Sequence, residues 1–95
     1  MKVHWTDTAI SHLRGIHAYI SQSSPEYALR IVDRLTRRSQ QIAAFPQSGR
    51  IVPEVDLPQI REVLEGPYRV IYHIKPDQLD IIAVIHGSQQ TPWTT

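Results

Sequence analysis

Four residues, Ser23-Ser24-Pro25-Glu26, constrain this chain more than any others, because they break a helical pattern and leave room only for a tight turn. Before them, Ile10, Leu13, Ile16 or His17, and Ile20 recur at helical spacing behind Thr6 or Asp7, either of which can cap a helix. The spacing predicts a helix near residues 7–22. Ser24 can cap a second helix with Pro25 at its first position, where the missing N–H is no loss. Alternatively, Ser23 caps and Glu26 completes a capping box. The second helix is predicted from about Pro25 to Ala44, with Ala28, Ile31, Val32, Leu35 and Ile42 as its apolar stripe. So short a connection predicts an antiparallel helical hairpin.

The flanking segments read as strands. Val3 and Trp5 alternate with Lys2 and His4, which suggests a short first strand. Phe45-Pro46 ends the second helix, since a residue before proline avoids the α region. Residues 46–59 hold three of the seven prolines and Gly49, and are expected to be an ordered irregular loop. Ile60, Glu62 and Leu64 alternate with Arg61, Val63 and Glu65 as a strand, and Gly66-Pro67 turns the chain. Tyr68–Lys75 alternates again, and Lys75-Pro76-Asp77-Gln78 is a turn. Leu79–His86 is rich in β-branched residues and reads as a central, doubly buried strand. The expected class is α+β in the order β-α-α-β-β-β: an N-terminal strand, then an antiparallel helical hairpin packed on a C-terminal three-stranded antiparallel meander. The helices should cover one sheet face and leave the other open for a site. Residues 1–95 are expected to form one domain, with 88–95 as a frayed tail.

Composition narrows the chemistry. There are no cysteines, so disulfides and thiolate metal sites are excluded. No apolar run follows Lys2, so no signal peptide is expected, and Ile81–Ile85 is too short to span a bilayer. The expectation is a cytoplasmic protein with no membrane partner. The net charge of +1 hides an asymmetry: residues 1–50 carry seven Lys/Arg against three Asp/Glu, and residues 51–95 carry three against six. Eight of the ten basic residues are arginine, whose planar fork suits carboxylates and phosphates.

The residues able to carry chemistry are few. Arg61 and Arg69 lie on strands, Arg50 at the start of the 46–59 segment, and His86 at the end of the last strand. Sharing the open face, Arg61, Arg69 and His86 would make a cationic site beside a titratable imidazole. Their faces depend on register, because a one-residue slip reverses them. The alternative for each arginine is a plain ion pair with Glu62, Glu65 or Asp80. His12 and His17 stand five apart and have no acid to complete a metal set. The four glycines are scattered, so there is no phosphate loop. No metal and no cofactor is expected.

The segments SPEYALRIVDRL, FPQSGRIVPE, IREVLEGPYRVIYHI and LDIIAVIHG, in this order and spacing, resemble the RelE/ParE superfamily of bacterial toxins from about Trp5 to Gly87. The resemblance implies the toxin of a type II toxin–antitoxin module, forming a hetero-oligomer with an antitoxin whose acidic or amphipathic segment wraps it. Arg30, Arg34, Arg37 and Arg38 on the second helix are then candidate antitoxin contacts. RelE-like members cleave messenger RNA on the ribosome; ParE-like members poison DNA gyrase. By position, Arg69 in the YR-x-IY motif matches the arginine that RelE-like nucleases place on phosphate. His86 falls where some of them keep a catalytic histidine, and Glu54 lies near a general base in others. Arg50 and Arg61 match basic positions of both branches, so Arg50, Arg61 and Arg69 are candidate target contacts.

The chain has only Lys2 and Lys75 where RelE itself is lysine-rich, and its HG pair is followed by Ser88-Gln89-Gln90 rather than arginines. The SGR and HG details favour the ParE-like branch. The leading expectation is a gyrase inhibitor held by an antitoxin. The first alternative is a ribosome-dependent endoribonuclease using Arg69 and His86, with Glu54 or Arg61 assisting. The second is a binding module of the same fold that has lost toxicity.

Overall fold

The computed structural model describes residues 1–88; of the expected tail only Ser88 falls among them. Thr6 caps the first helix, its Oγ1 accepting from the Ala9 N–H at 3.2 Å, and α1 runs Asp7–Ser21. Ser24, not Ser23, caps the second: its Oγ accepts from the Tyr27 N–H at 3.1 Å, Pro25 sits at the first position, and α2 runs Pro25–Ala44. Ala28, Ile31, Leu35, Ser39 and Ile42 form the buried stripe of α2. Ser39 is tolerated there because its hydroxyl donates to the Thr36 carbonyl at 2.6 Å.

Five strands follow the order β1-β5-β4-β3-β2 in one mixed sheet: β1 Lys2–Trp5, β2 Arg50–Ile51, β3 Ile60–Glu65, β4 Tyr68–Ile74 and β5 Gln78–His86. The expected meander is β3-β4-β5, joined by antiparallel pairing, but β4 rather than β5 is the central strand: β1 covers the other side of β5 only from Gln78 to Ile81, because β1 is four residues long. The first strand pairs with β5 in parallel; the helical hairpin carries the chain from β1 across one sheet face to β2 at the opposite edge, and the meander brings it back beside β1. The 46–59 segment is less irregular than expected. It contains a 3₁₀ turn at Pro46–Ser48 and the two-residue β2, which extends the sheet beyond β3.

One sheet face carries Val63, Val70, Tyr72, Leu79, Ile81 and Val84 against Ala9, Ile31, Leu35 and Ile42 of the helices. The other face is not left open. Val52 and Val55 fold across it onto Ile71, Ala83 and Ile85, forming a second, smaller apolar cluster.

Two groups fix that crossing segment. The Tyr72 hydroxyl, wholly buried, donates to the Pro46 carbonyl at 2.6 Å and accepts from the Gly49 N–H at 3.0 Å. Gly49 passes so close to β3 that a Cβ there would lie 2.5 Å from both the Glu62 carbonyl oxygen and the Tyr72 hydroxyl. The glycine of the Ser-Gly-Arg triplet is therefore a packing requirement of the turn into β2.

Candidate functional site

The outer face of the sheet holds a charged cluster built on Glu62. Residues directly opposite in a sheet share a face, and Glu62 lies between Arg50 on β2 and Ile71 on β4. Its side chain is wholly buried and accepts from the Arg50 Nε and, at 2.6 Å, from the Arg69 Nε. A buried carboxylate is tolerable only with such paired, charge-assisted donors. Arg69 is itself almost buried and turns its two Nη groups to Glu54, bidentate at 2.8 and 3.0 Å. The Arg69 guanidinium holds the Glu54 carboxyl below the usual carboxylate range, and that carboxylate in turn holds Arg69 charged. Two arginines and two glutamates thus form a neutral quartet that ties the Pro53–Val55 turn to β4.

The other expected residues lie elsewhere. Arg61 is opposite Tyr72, hence on the helical face, and donates from Nε to the Pro58 carbonyl at 2.9 Å and from Nη1 to the Gly49 carbonyl at 3.0 Å. His86 is opposite Tyr68 and touches its ring edge-on, with ring centroids 6.1 Å apart. Arg69 is opposite Ile85 and Leu64. The register therefore places Arg69 on one side of the sheet and both Arg61 and His86 on the other. Arg50, Glu54 and Arg69 come together; Arg61 and His86 do not join them.

His86 borders a cavity of about 550 Å³ between α1 and the last part of β5, beyond the point where β1 stops pairing. Tyr19, Tyr68 and His12 also line it. The Nδ1 of His12 accepts from the Val84 N–H at 3.2 Å, satisfying a backbone donor on the uncovered β5 edge, and burial lowers its pKa. On α2, Arg34 pairs with Glu65 at 3.0 Å and Arg37 with Asp33 at 3.0 Å. Arg38 stands 3.7 Å from Glu65, an ion-pair distance too long for a hydrogen bond, and donates to Gln41 at 3.0 Å. Arg30 is exposed. Among the described residues no group of three or more His, Cys, Asp or Glu side chains is placed to hold a metal ion. No helix of the described residues is long and apolar enough to cross a membrane.

The sequence names Glu62 only as one of three acids that could pair with a strand arginine, and His12 only as a histidine without a metal set. Glu62 reads as one more alternating strand residue, and nothing local reveals that two arginines distant in sequence converge on it. His12 sits on a helical stripe without an acid partner, and its donor is a backbone group 72 residues away.

A family model described as the ParE toxin of the type II toxin–antitoxin system parDE matches residues 3–91. Y4kP of Sinorhizobium fredii is 33% identical over 93 residues, covering 96% of this chain and 93% of that protein. Toxin RelE2 of Caulobacter vibrioides is 30% identical over 89 residues, covering 93% and 97% respectively. Among solved structures, a chain of the chromosomal ParDE system from P. aeruginosa superposes with a TM-score of 0.74 at 24% identity, covering 90% of this chain and 95% of that one. A chain of the toxin–antitoxin complex RelBE2 from Mycobacterium tuberculosis superposes with a TM-score of 0.64 at 21% identity, with the same coverage. Both share this fold.

Proposed function

Because the chain belongs to the ParE family of type II toxin–antitoxin toxins, we propose that it arrests growth by inhibiting DNA gyrase, cleaves no RNA, and is held inactive by a cognate antitoxin. The observation that carries this reading is the placement of Arg69 and His86 on opposite faces of the sheet. Cleavage of a phosphodiester by its neighbouring 2′-hydroxyl needs a base, an acid and a cation around a single phosphate. Here the Arg69 fork is filled by Glu54 and Glu62, and His86 faces the helices. The messenger-cleaving alternative, with Arg69, His86, Arg61 and Glu54 as its catalytic set, is disfavoured because these residues divide between the two faces of the sheet. Inhibition by binding needs no such set.

In this reading the target meets the edge formed by β2 and β3, which supplies Arg50 and Arg61, with Arg69 behind Glu54. The antitoxin covers α2. Arg30, Arg34 and Arg37 are exposed there, and Arg34 and Arg37 are engaged only in solvent-facing pairs worth little. They are free to re-pair with an acidic partner. The related solved structures come from a ParDE system and a RelBE2 toxin–antitoxin complex, which supports a hetero-oligomer.

Expression without antitoxin tests the proposal. The expected result is growth arrest with gyrase-linked DNA breaks and intact messenger. Since one relative is named RelE2, messenger must be mapped in the same culture. Cleaved messenger with normal supercoiling would reverse the reading. Harmless expression would point instead to a binding module without toxicity.

A further inference from the structure

The quartet on the outer face has the composition of an occupied binding site. Glu62 anchors Arg69 through Nε alone, so the guanidinium keeps its orientation whether or not anything sits on its Nη edge. Glu54 fills that edge with both carboxylate oxygens, the geometry in which arginine takes up a ligand carboxylate. Arg50, with its side chain 63% exposed, stands beside the same carboxylate and uses only its Nε on Glu62. Without Glu54, two arginines would share one glutamate, leaving a net positive charge in a nearly buried position.

The segment that delivers Glu54 is a local turn. Pro53, Glu54 and Asp56 are exposed; apart from the Glu54–Arg69 pair, the turn is held by Val52 and Val55 and closed on itself by the Val55 and Asp56 N–H groups donating to the Val52 carbonyl at 3.1 and 2.8 Å. It also contains Asp56 at φ +57, the single non-glycine positive φ among the described residues. Aspartate tolerates this region better than most residues, but the conformation still opposes the turn rather than holding it.

We propose that Arg50 and Arg69 form a carboxylate-binding site on the outer sheet face, that Glu54 occupies it from within the chain, and that an Asp or Glu of a protein partner binds by displacing the 53–56 turn. A carboxylate is favoured over a phosphate for two reasons. The vacated site needs one negative charge to be neutral, and a planar two-oxygen group fits the fork. A protein is favoured over a nucleic acid because the surroundings are apolar rather than basic: Val55, Leu57, Ile60 and Ile82 line an apolar depression on this face, and Leu57 and Leu64 are exposed. The proposal does not require gyrase to be the target, and its test uses the isolated chain.

The test compares wild type with Glu54→Ala and Glu54→Gln, titrating sodium acetate, inorganic phosphate and, as an ionic-strength control, sodium chloride. The readouts are the Arg69 Nε–H resonance and the melting temperature. Acetate is expected to shift the resonance in both variants at a concentration about tenfold lower than in wild type. It should also raise the variants' melting temperature while chloride does not. Equal acetate response in all three proteins, or none, overturns the proposal, because Glu54 would then mask nothing. A stronger response to phosphate than to acetate overturns the choice of a carboxylate partner. Loss of fold in both variants that acetate does not restore also overturns it, since the turn would then be a fixed strut.

Discussion

Glu62 shows how one side chain can hold a region together. Replacing it with glutamine would leave the Nε of the almost buried Arg69 facing a neutral group across 2.6 Å, with Glu54 still paired to its Nη groups. Because Glu54 still compensates Arg69, the loss should be that of a buried charge-assisted hydrogen bond, about 1.5–3 kcal/mol, read by urea unfolding of Glu62→Gln. A loss under about 1 kcal/mol would mean that the carboxylate is not the anchor. Gly49→Ala should lose about 1–3 kcal/mol by overpacking, because its Cβ meets the backbone of β3 and a hydroxyl fixed by two hydrogen bonds. Tyr72→Phe should lose a comparable amount by leaving the Gly49 N–H and Pro46 carbonyl without their partner. The motif carrying Gly49 was legible in the sequence as part of FPQSGRIVPE. Its physical reason was not, because the atoms it would strike belong to β3 and β4.

The elements themselves were largely legible. The bounds of α2 follow from Ser24-Pro25 and Phe45-Pro46, and the three meander strands from their alternation and turns. The face of His86 was not. Tyr72 pairs with Ile81 and Ile71 with Ala83, so Ile82 is an extra residue in β5. Strict alternation from Leu79 and Ile81 would put His86 on the outer face with Asp80. The bulge reverses that parity and turns it toward Tyr68. Nothing in Ile81–Ile85 betrays the bulge, since every residue there is apolar. The α1–β5 contact carries a pH dependence. His12 accepts from Val84 through Nδ1, so it must be unprotonated there, and its folded pKa lies below the ordinary 6.5. The unfolded chain therefore takes up this proton first. Stability should be full above about pH 6.5 and fall as pH drops below it. Asp80 and Glu54 also have depressed folded pKa values, owing to Lys75 and Arg69 respectively, and add a further loss below the ordinary carboxylate range. Denaturation midpoints of wild type and His12→Asn between pH 7 and 5 check the first step. The variant should lose the slope, and an unchanged slope would assign it to another group.

At the scale of the whole molecule, the sheet separates two chemistries. α2 carries the exposed Arg30, Arg34 and Arg37, the proposed antitoxin contacts. The outer face carries a neutral quartet and an apolar depression in place of the open cationic site expected from sequence. The 46–59 segment makes that difference, because prolines suggest a loop but do not say which face it crosses. Changing Arg30, Arg34 and Arg37 together to glutamate should weaken antitoxin capture at least tenfold while leaving the melting temperature within a few degrees, as exposed pairs contribute little. Pull-down with the product of an adjacent antitoxin gene measures it. The central claim, inhibition by binding without RNA chemistry, is tested most directly by adding the purified chain to DNA gyrase and relaxed plasmid. The expected result is a dose-dependent loss of supercoiling with accumulation of cleaved DNA, relieved by antitoxin. Full supercoiling at concentrations of the chain that stop growth would contradict it.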